Sequence, residues 1–320
     1  TAPLAPQCRG DAPGELVDAA LAAGLLDPGG DALAAVRDIV RFLGGREAFP
    51  GLTGESEQAV ARALPFAVPT EVLLTIGGDH RQRVDWSVGR NSYRLSPRPA
   101  PWAAQFGSCT ASSPSPRAFD AADDLRHRLI RAALDDRLDA FLTLETEEIR
   151  ATLRAALGVA DGDVDVVLCP SGTDAELVAL AVAGRPDRWL SVVVAPLEIG
   201  SGSLRAAGGC HFSTSTPLGG EVEPGTRIDG LDDWDVDVRT VDVRTDEGGL
   251  RAPESVEEDI ESILESWDGP VVLHVVEGSK TGVRLPRPAA VERWEAQLGD
   301  RLVVVVDAAQ MRVDQATVVA

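Results

Sequence analysis

The sequence predicts an α/β protein in which a mostly parallel, open sheet is flanked by helices. From residue 163 onward, short apolar runs rich in β-branched residues alternate with helical patterns, as in parallel sheets joined by crossover helices. The runs are apolar on both faces, which is typical of strands that are covered on both sides. The predicted strands are Val164 to Leu168, Trp189 to Ala195, Val238 to Val243, Val271 to Val276 and Leu302 to Val306.

Helices are predicted between these strands, at 174 to 184, 254 to 266 and 287 to 298. Upstream of the strands, two helices are expected from Asp120 to Gly158, separated near Leu138 to Thr143. Ligands of open α/β sheets gather at the carboxyl ends of the parallel strands. Residues that directly follow a predicted strand are therefore the first candidates for a functional site.

The chain is expected to have three parts. Residues 1–75 show the apolar spacing of helices and predict a helical N-terminal segment. Residues 76–119 are interrupted by Gly, Pro and Ser and predict a loop-rich segment that lines the site. Residues 120–320 form the α/β domain, which we expect to be incomplete at its C-terminus.

Arginines and small residues in the loop-rich segment have two possible roles. Arg81, Arg90 and Arg94, with the run from Gly107 to Ser113, suit a pocket for a carboxylate substrate, because the arginine guanidinium pairs with carboxylates through two parallel hydrogen bonds. A turn held together by surface arginines is the alternative. The sequence leaves both open.

Composition excludes several classes of partner. The chain has 51 acidic and 30 basic residues and a formal net charge of -21, which repels phosphate backbones and anionic lipids. We expect no nucleic-acid partner and no membrane partner. No apolar run has the roughly 20 residues that span a bilayer, and the four cysteines are widely spaced without a metal-ligand pattern. We expect a cytoplasmic protein without a metal site.

A Ser-Gly-Thr sequence opens one of the predicted helices. Ser171, Gly172 and Thr173 follow the first predicted strand and precede the helix that begins at Asp174. Free N–H groups and hydroxyls at a helix N-terminus suit a phosphate. Thr173 with Glu176 is also an ordinary helix-capping box, so phosphate binding and simple capping both remain open.

A second motif follows the last predicted strand. Asp307 comes directly after the buried run and is followed by Ala308, Ala309 and Gln310. A carboxylate at the mouth of a buried strand is costly unless it is paired, so Asp307 either caps the next turn or holds a cation.

The two motifs together resemble those of fold-type I pyridoxal-phosphate enzymes, most closely the class V aminotransferase and cysteine desulfurase family. The resemblance covers about residues 163 to 312 and implies the fold of the aspartate aminotransferase-like large domain. It implies that Ser171, Gly172 and Thr173 hold the cofactor phosphate. It also implies that Asp307 pairs with the pyridine nitrogen and that Gln310 hydrogen-bonds the ring hydroxyl.

Two further positions enter through the same resemblance. The family places a ring-stacking side chain after the second strand, where this chain has neither an aromatic residue nor His, so Glu198 or Ile199 would cover the ring. The loop after the strand ending at Val276 faces the cofactor in the family, and Lys280 lies in it. Lys280 would touch the cofactor or substrate, although a solvated turn lysine is the alternative. Neither loop completes a dinucleotide-binding or P-loop motif.

The resemblance lacks one residue. The family's Schiff-base lysine follows the strand with Asp307, whereas Lys280 precedes it and is the only lysine in the chain. We therefore expect the Schiff-base lysine beyond residue 320, assign no catalytic residue within the chain, and expect these 320 residues alone to be inactive.

The predicted function is that of a pyridoxal-phosphate-dependent enzyme, an aminotransferase or a related lyase that acts on an amino acid or an amine. The resemblance also implies a homodimer. The alternative is a non-catalytic relative that keeps the fold for binding or assembly. His274 lies within a predicted buried strand and is expected to be a hydrogen-bonded core residue.

Overall fold

The computed structural model describes residues 33–34, 37, 53–76, 80–104, 112–159, 164–183, 188–218 and 220–311. The chain divides into two compact units, one of residues 1–155 with 217–220 and the other of residues 156–216 with 221–320. Within the described residues, no helix is long and apolar enough to cross a membrane. The predicted domain boundaries differ from this division and stay predictions.

The described part of the first unit consists of helices and of the loop-rich stretch 80–104. Its helices are α1 (Gly54–Ala63), α2 (Thr70–Leu73), α3 (Pro116–Leu134) and α4 (Leu138–Leu157). The hydroxyl of Thr53 caps α1 by accepting a hydrogen bond from Ser56 N, and Ser115 caps α3 in the same way. Helices α1 and α3 pack against each other, and both carry small buried residues, namely Ala61, Ala63, Ala132 and Ala133.

The predicted break between the two long helices is misplaced. The chain leaves the helical path at Asp135 to Arg137, where Asp136 has a φ of +58°, and Leu138 to Thr143 already belong to α4. Aspartate tolerates this left-handed conformation better than most residues, because its short polar side chain can hydrogen-bond locally. Leu33, Ala34 and Arg37 are helical, as the N-terminal apolar spacing predicts, while most of residues 1–52 lie outside the described part.

The second unit contains a sheet of five strands among the described residues. They are β1 (Arg188–Val194), β2 (Asp235–Val241), β3 (Val271–Glu277), β4 (Arg284–Leu285) and β5 (Leu302–Asp307). The order β2-β1-β3-β5 is parallel throughout, and β4 pairs antiparallel with the last two residues of β3. The prediction of an open, mostly parallel sheet is confirmed.

Helices cover both faces of this sheet, as predicted. They are α5 (Gly172–Val182), α6 (Ser203–Ala207), α7 (Pro253–Glu265) and α8 (Pro288–Leu298). Leu190 and Leu273 share one buried cluster with Ile260 of α7 and Trp294 of α8. The strand residues next to them, Trp189 and Val272, form a second cluster with Leu180 of α5. Successive strand residues point to opposite faces, so the two clusters lie on opposite sides of the sheet.

One predicted strand is wrong. Val164 to Leu168 run without regular secondary structure, and the side chain of Val167 is 57% exposed. A β-branched run forms a strand only where a neighbour supplies ladder hydrogen bonds and buries its side chains. No described strand pairs with this segment.

Candidate functional site

A cleft opens at the carboxyl ends of the parallel strands. It encloses an empty volume of about 240 Å³ that includes its open mouth. The loops that follow β1 and β3 and the end of β5 form its walls. The residues that line it are Glu198, Ile199, Gly200, Gly278, Ser279, Lys280, Asp307, Ala309 and Gln310. Four of the seven predicted cofactor-binding residues, Glu198, Lys280, Asp307 and Gln310, therefore share one cleft.

The other three predicted residues begin helix α5 and do not line this cleft. Thr173 nevertheless lies beside it, since a Cβ placed on Gly200 would be 3.7 Å from Thr173 Oγ1. A Cβ on Gly202 would be only 2.9 Å from Phe212 Cβ and 3.1 Å from Thr173 Cγ2. Glycine at these positions lets the loop after β1 approach the start of α5 closely.

The capping of α5 differs from the predicted Thr173–Glu176 box, which is wrong. The cap is Ser171, whose Oγ accepts a hydrogen bond from Asp174 N at 3.2 Å and donates one to Asp174 Oδ2 at 2.6 Å. The cap lies two residues earlier than predicted because Gly172 and Thr173 are already within the helix. The carboxylate of Glu176 is left for another partner in the core.

Glu198 ties three loops together at this edge of the sheet. Its carboxylate accepts hydrogen bonds from Arg244 Nε at 2.7 Å, Ser279 Oγ at 2.8 Å, Thr281 Oγ1 at 2.7 Å and Thr281 N at 3.3 Å. Arg244 follows β2, and Ser279 and Thr281 follow β3. The carboxylate predicted to cover a cofactor ring thus already has four donors, while Ile199 also lines the cleft.

The hydrogen bonds to Glu198 decide its charge. The residue is only 4% exposed, and burial by itself raises the pKa of a carboxyl group. The bonds from Thr281, Arg244 and Ser279 outweigh burial and hold the pKa of Glu198 below its ordinary value. The group is an anion that its surroundings fully satisfy.

Asp307 has a different environment. Its Oδ1 accepts a hydrogen bond from Ala309 N at 2.9 Å, and no other donor to this carboxylate is found among the described residues. Burial raises the pKa of Asp307, and the nearby charge of Glu176 raises it further. The bond from Ala309 and the proximity of His274 and Lys280 act in the opposite direction but do not cancel the rise in pKa.

Lys280 is anchored to the opposite loop. Its Nζ donates a hydrogen bond to the carbonyl of Ile199, which follows β1. It is the one cationic side chain among the residues that line the cleft. The amine thus lies at the cleft and lowers the pKa of Asp307, while the residue as a whole is exposed. Contact with a cofactor or substrate stays a prediction.

Sequence reasoning did not identify Arg244 or Glu176 as part of this region. Arg244 directly follows the predicted strand Val238 to Val243 and lies three residues after the end of β2, so the signal that identified Asp307 was present and was not used. Glu176 was assigned to the helix cap. His274, predicted as a hydrogen-bonded core residue, is buried and lies 3.1 Å from Ser191 Oγ, as expected.

The loop-rich segment belongs to the first unit. Arg81 lies over the ring of Tyr93 at 5.5 Å from its centroid, and Arg90 Nη1 donates to the carbonyl of Arg94. Both contacts fit the turn-holding alternative. The run from Gly107 to Ser113 lies outside the described residues except for its last two serines. A role in lining the site stays a prediction.

Comparisons with known proteins add little. No family model matches the chain. No curated protein matches it either. Among solved structures, the chain is similar to a putative histidinol-phosphate aminotransferase from Erwinia carotovora atroseptica SCRI1043, with 11% identity and a TM-score of 0.32. The match covers 51% of this chain and 37% of that one, and a likeness of this size carries no argument about function.

Proposed function

We propose that this chain binds pyridoxal phosphate in the cleft between the ends of β1, β3 and β5. The proposed activity is that of an aminotransferase or related lyase acting on an amino acid or an amine. The observation that carries the proposal is the half-buried Asp307 carboxylate. Asp307 and Gln310 line the same cleft three residues apart, at the carboxyl end of a parallel strand.

The polar groups of the cleft suit the ring end of the cofactor. A carboxylate with a single donor and a raised pKa lacks compensation for its charge, and a protonated pyridine nitrogen supplies both a donor and a positive charge. When bound, the cofactor would supply a pyridinium ring that withdraws electrons from the substrate's Cα. Asp307 would hold the proton at the ring nitrogen, and Gln310 would hydrogen-bond the ring hydroxyl.

The fit at the phosphate end requires a local exchange of hydrogen bonds. The N-terminus of α5 offers free N–H groups and open space beside Gly172. Asp174 N already donates to Ser171 Oγ, and the Ser171 hydroxyl donates to the Asp174 carboxylate. A phosphate held by Ser171, Gly172 and Thr173 would replace the Asp174 carboxylate there.

Glu198 and Lys280 act on either side of the ring position. Glu198 would fix the loops after β1, β2 and β3 so that the cleft keeps its width. Lys280 would provide a positive charge for the anionic groups of cofactor or substrate. We also propose, from the resemblance alone, that the protein works as a homodimer.

Binding of pyridoxine 5'-phosphate tests the site without depending on a lysine. This compound has the ring nitrogen, hydroxyl and phosphate of the cofactor but no aldehyde. We expect equilibrium dialysis to detect its binding to the 320-residue chain, and Asp307→Ala to weaken it about tenfold, or ~1.4 kcal/mol. Asp300→Ala is the matched control, because Asp300 is exposed and precedes the opposite end of β5. Equal binding by all three proteins, or none at millimolar ligand, would contradict the proposal.

A further inference from the structure

Three polar side chains lie in the core beneath the cleft. They are Ser191 on β1, His274 on β3 and Glu176 on α5, with exposed fractions of 0%, 4% and 8%. Ser191 Oγ lies 3.1 Å from His274 Nε2, and His274 Nδ1 lies 2.7 Å from Glu176 Oε2. We call these three residues the core polar chain.

The strand register explains why the three meet. Ser191 is paired with Val272, and His274 with Val193, so Ser191 and His274 are diagonal neighbours on one face of the sheet. Trp189 and Val272 of the same face pack against Leu180 of α5. The core polar chain is therefore embedded in an apolar cluster, where polar groups are costly unless they satisfy one another.

The order serine, histidine, acid is also that of a hydrolase triad, but a nucleophile must reach its substrate. Ser191 has no exposed surface and lies in the middle of β1. The core polar chain cannot attack a substrate and has to act on a neighbouring group instead.

That neighbour is Asp307. In the β3–β5 register, His274 is paired with Val305 and Val276 with Asp307, so Asp307 follows His274 by one step along the same face. Strand geometry puts their Cα atoms roughly 8 Å apart. Glu176 Oε2 lies 2.7 Å from His274 Nδ1, yet it accepts no hydrogen bond of normal geometry from a described residue.

We propose that Glu176, beside His274 in the core polar chain, is a positioning residue that makes the negative charge of Asp307 costly until a cationic N–H ligand occupies the cleft. The carboxylate of Glu176 opposes a second negative charge at Asp307, and a cationic ring nitrogen removes the opposition. Ligand binding and the charge of Asp307 are then coupled. The functional meaning of this coupling rests on the proposed cofactor site.

The charged groups that face Asp307 come from three elements. Glu176 of α5 raises the pKa of Asp307, while His274 of β3 and Lys280 of the following loop lower it, with burial as the largest cause of the net rise. Removal of Glu176 and removal of His274 should therefore change the pKa of Asp307 in opposite directions. General loosening of the fold would instead lower it in both variants, because water would reach the carboxyl group.

Carbon-13 NMR of aspartate side chains in the ligand-free protein tests the inference, with the Asp307 signal assigned through Asp307→Asn. We expect a pKa above 3.8 in the wild type. We expect a lower pKa than the wild type in Glu176→Gln and a higher one in His274→Asn. Glu257→Gln is the matched control, because Glu257 of α7 is similarly buried but is paired with Arg287 at the start of α8.

The outcomes separate the two proposals. Shifts in the same direction, unchanged values in both variants, or a wild-type pKa at or below 3.8 would overturn the inference. A wild-type pKa at or below 3.8 overturns the inference even if a core variant fails to fold, and Glu176→Asp, which keeps the charge and should keep the wild-type pKa of Asp307, then serves as the second variant. Opposite shifts in a chain that does not bind pyridoxine 5'-phosphate would support the core polar chain and contradict the cofactor site, and binding without shifts would do the reverse.

Discussion

Glu198 and Asp307 are carboxylates on the walls of the same cleft, and they differ in the number of donors that reach them. Glu198 accepts four hydrogen bonds from residues of two other loops. Asp307 accepts one, from a residue two positions along its own chain. The pKa of Glu198 is lowered, despite burial, and the pKa of Asp307 is raised by burial.

The difference separates a structural carboxylate from one that is available to a ligand. The donors of Glu198 hold the loops after β2 and β3 against the loop after β1. Moving any of these donors would separate its loop from Glu198. Asp307 leaves most of its hydrogen-bonding capacity unused at the mouth of a cleft. The contrast supports the role proposed for Asp307, whereas Glu198 stabilises the loops that form the cleft.

The largest effect should come from removing the structural carboxylate. We expect Glu198→Ala to lower the free energy of unfolding by about 3 kcal/mol, because Arg244, Ser279 and Thr281 lose their common acceptor in a largely buried place. Urea denaturation monitored by tryptophan fluorescence measures the change.

Glu254→Ala provides the comparison for this variant. Glu254 also pairs with an arginine, Arg287, but its side chain is 61% exposed, so its loss should cost less than about 1 kcal/mol. Similar losses of unfolding free energy in the two variants would mean that the four hydrogen bonds to Glu198 stabilise the protein no more than the exposed ion pair of Glu254 does.

The sequence allowed much of the sheet to be predicted, because β-branched runs that are apolar on both faces have few other stable arrangements. It also predicted Asp307 at a strand end, since a single charge that interrupts such a run stands out. It could not predict the donors of Glu198, because Arg244 and Thr281 become neighbours only through the lateral order β2-β1-β3. The strand predicted at Val164 to Leu168 was wrong for a related reason. A strand needs a neighbouring strand to pair with, and the local sequence does not specify that neighbour.

Lowering the pH should remove the contribution that the ionised Glu198 carboxylate makes to the free energy of unfolding. Because its folded pKa is lower than the ordinary 4.5, its stabilisation is present above that value and is lost as the pH falls through the folded pKa. Each unit of difference between folded and unfolded pKa is worth about 1.4 kcal/mol. We expect the stability gap between the wild type and Glu198→Gln to narrow between pH 6 and pH 3 in urea titrations. A gap that is constant with pH would show that ionisation of Glu198 does not stabilise the loops.

The smallest expected effect is a gain in the free energy of unfolding, on substitution of Asp307. Because the folded pKa of Asp307 lies above its ordinary 3.8, the native state is favoured below 3.8 and loses stability as the pH rises through the folded pKa. Asp307→Asn removes the charge and keeps the acceptor for Ala309 N. We expect it to stabilise the ligand-free protein by about 1 kcal/mol at pH 7, the usual cost of a poorly paired buried group, and to have little effect at pH 3. Urea denaturation at the two pH values measures both.

Destabilisation at pH 7 would mean that Asp307, like Glu198, is a structural carboxylate. Stabilisation together with weaker binding of pyridoxine 5'-phosphate would mean that the fold tolerates a costly charge because the ligand needs it.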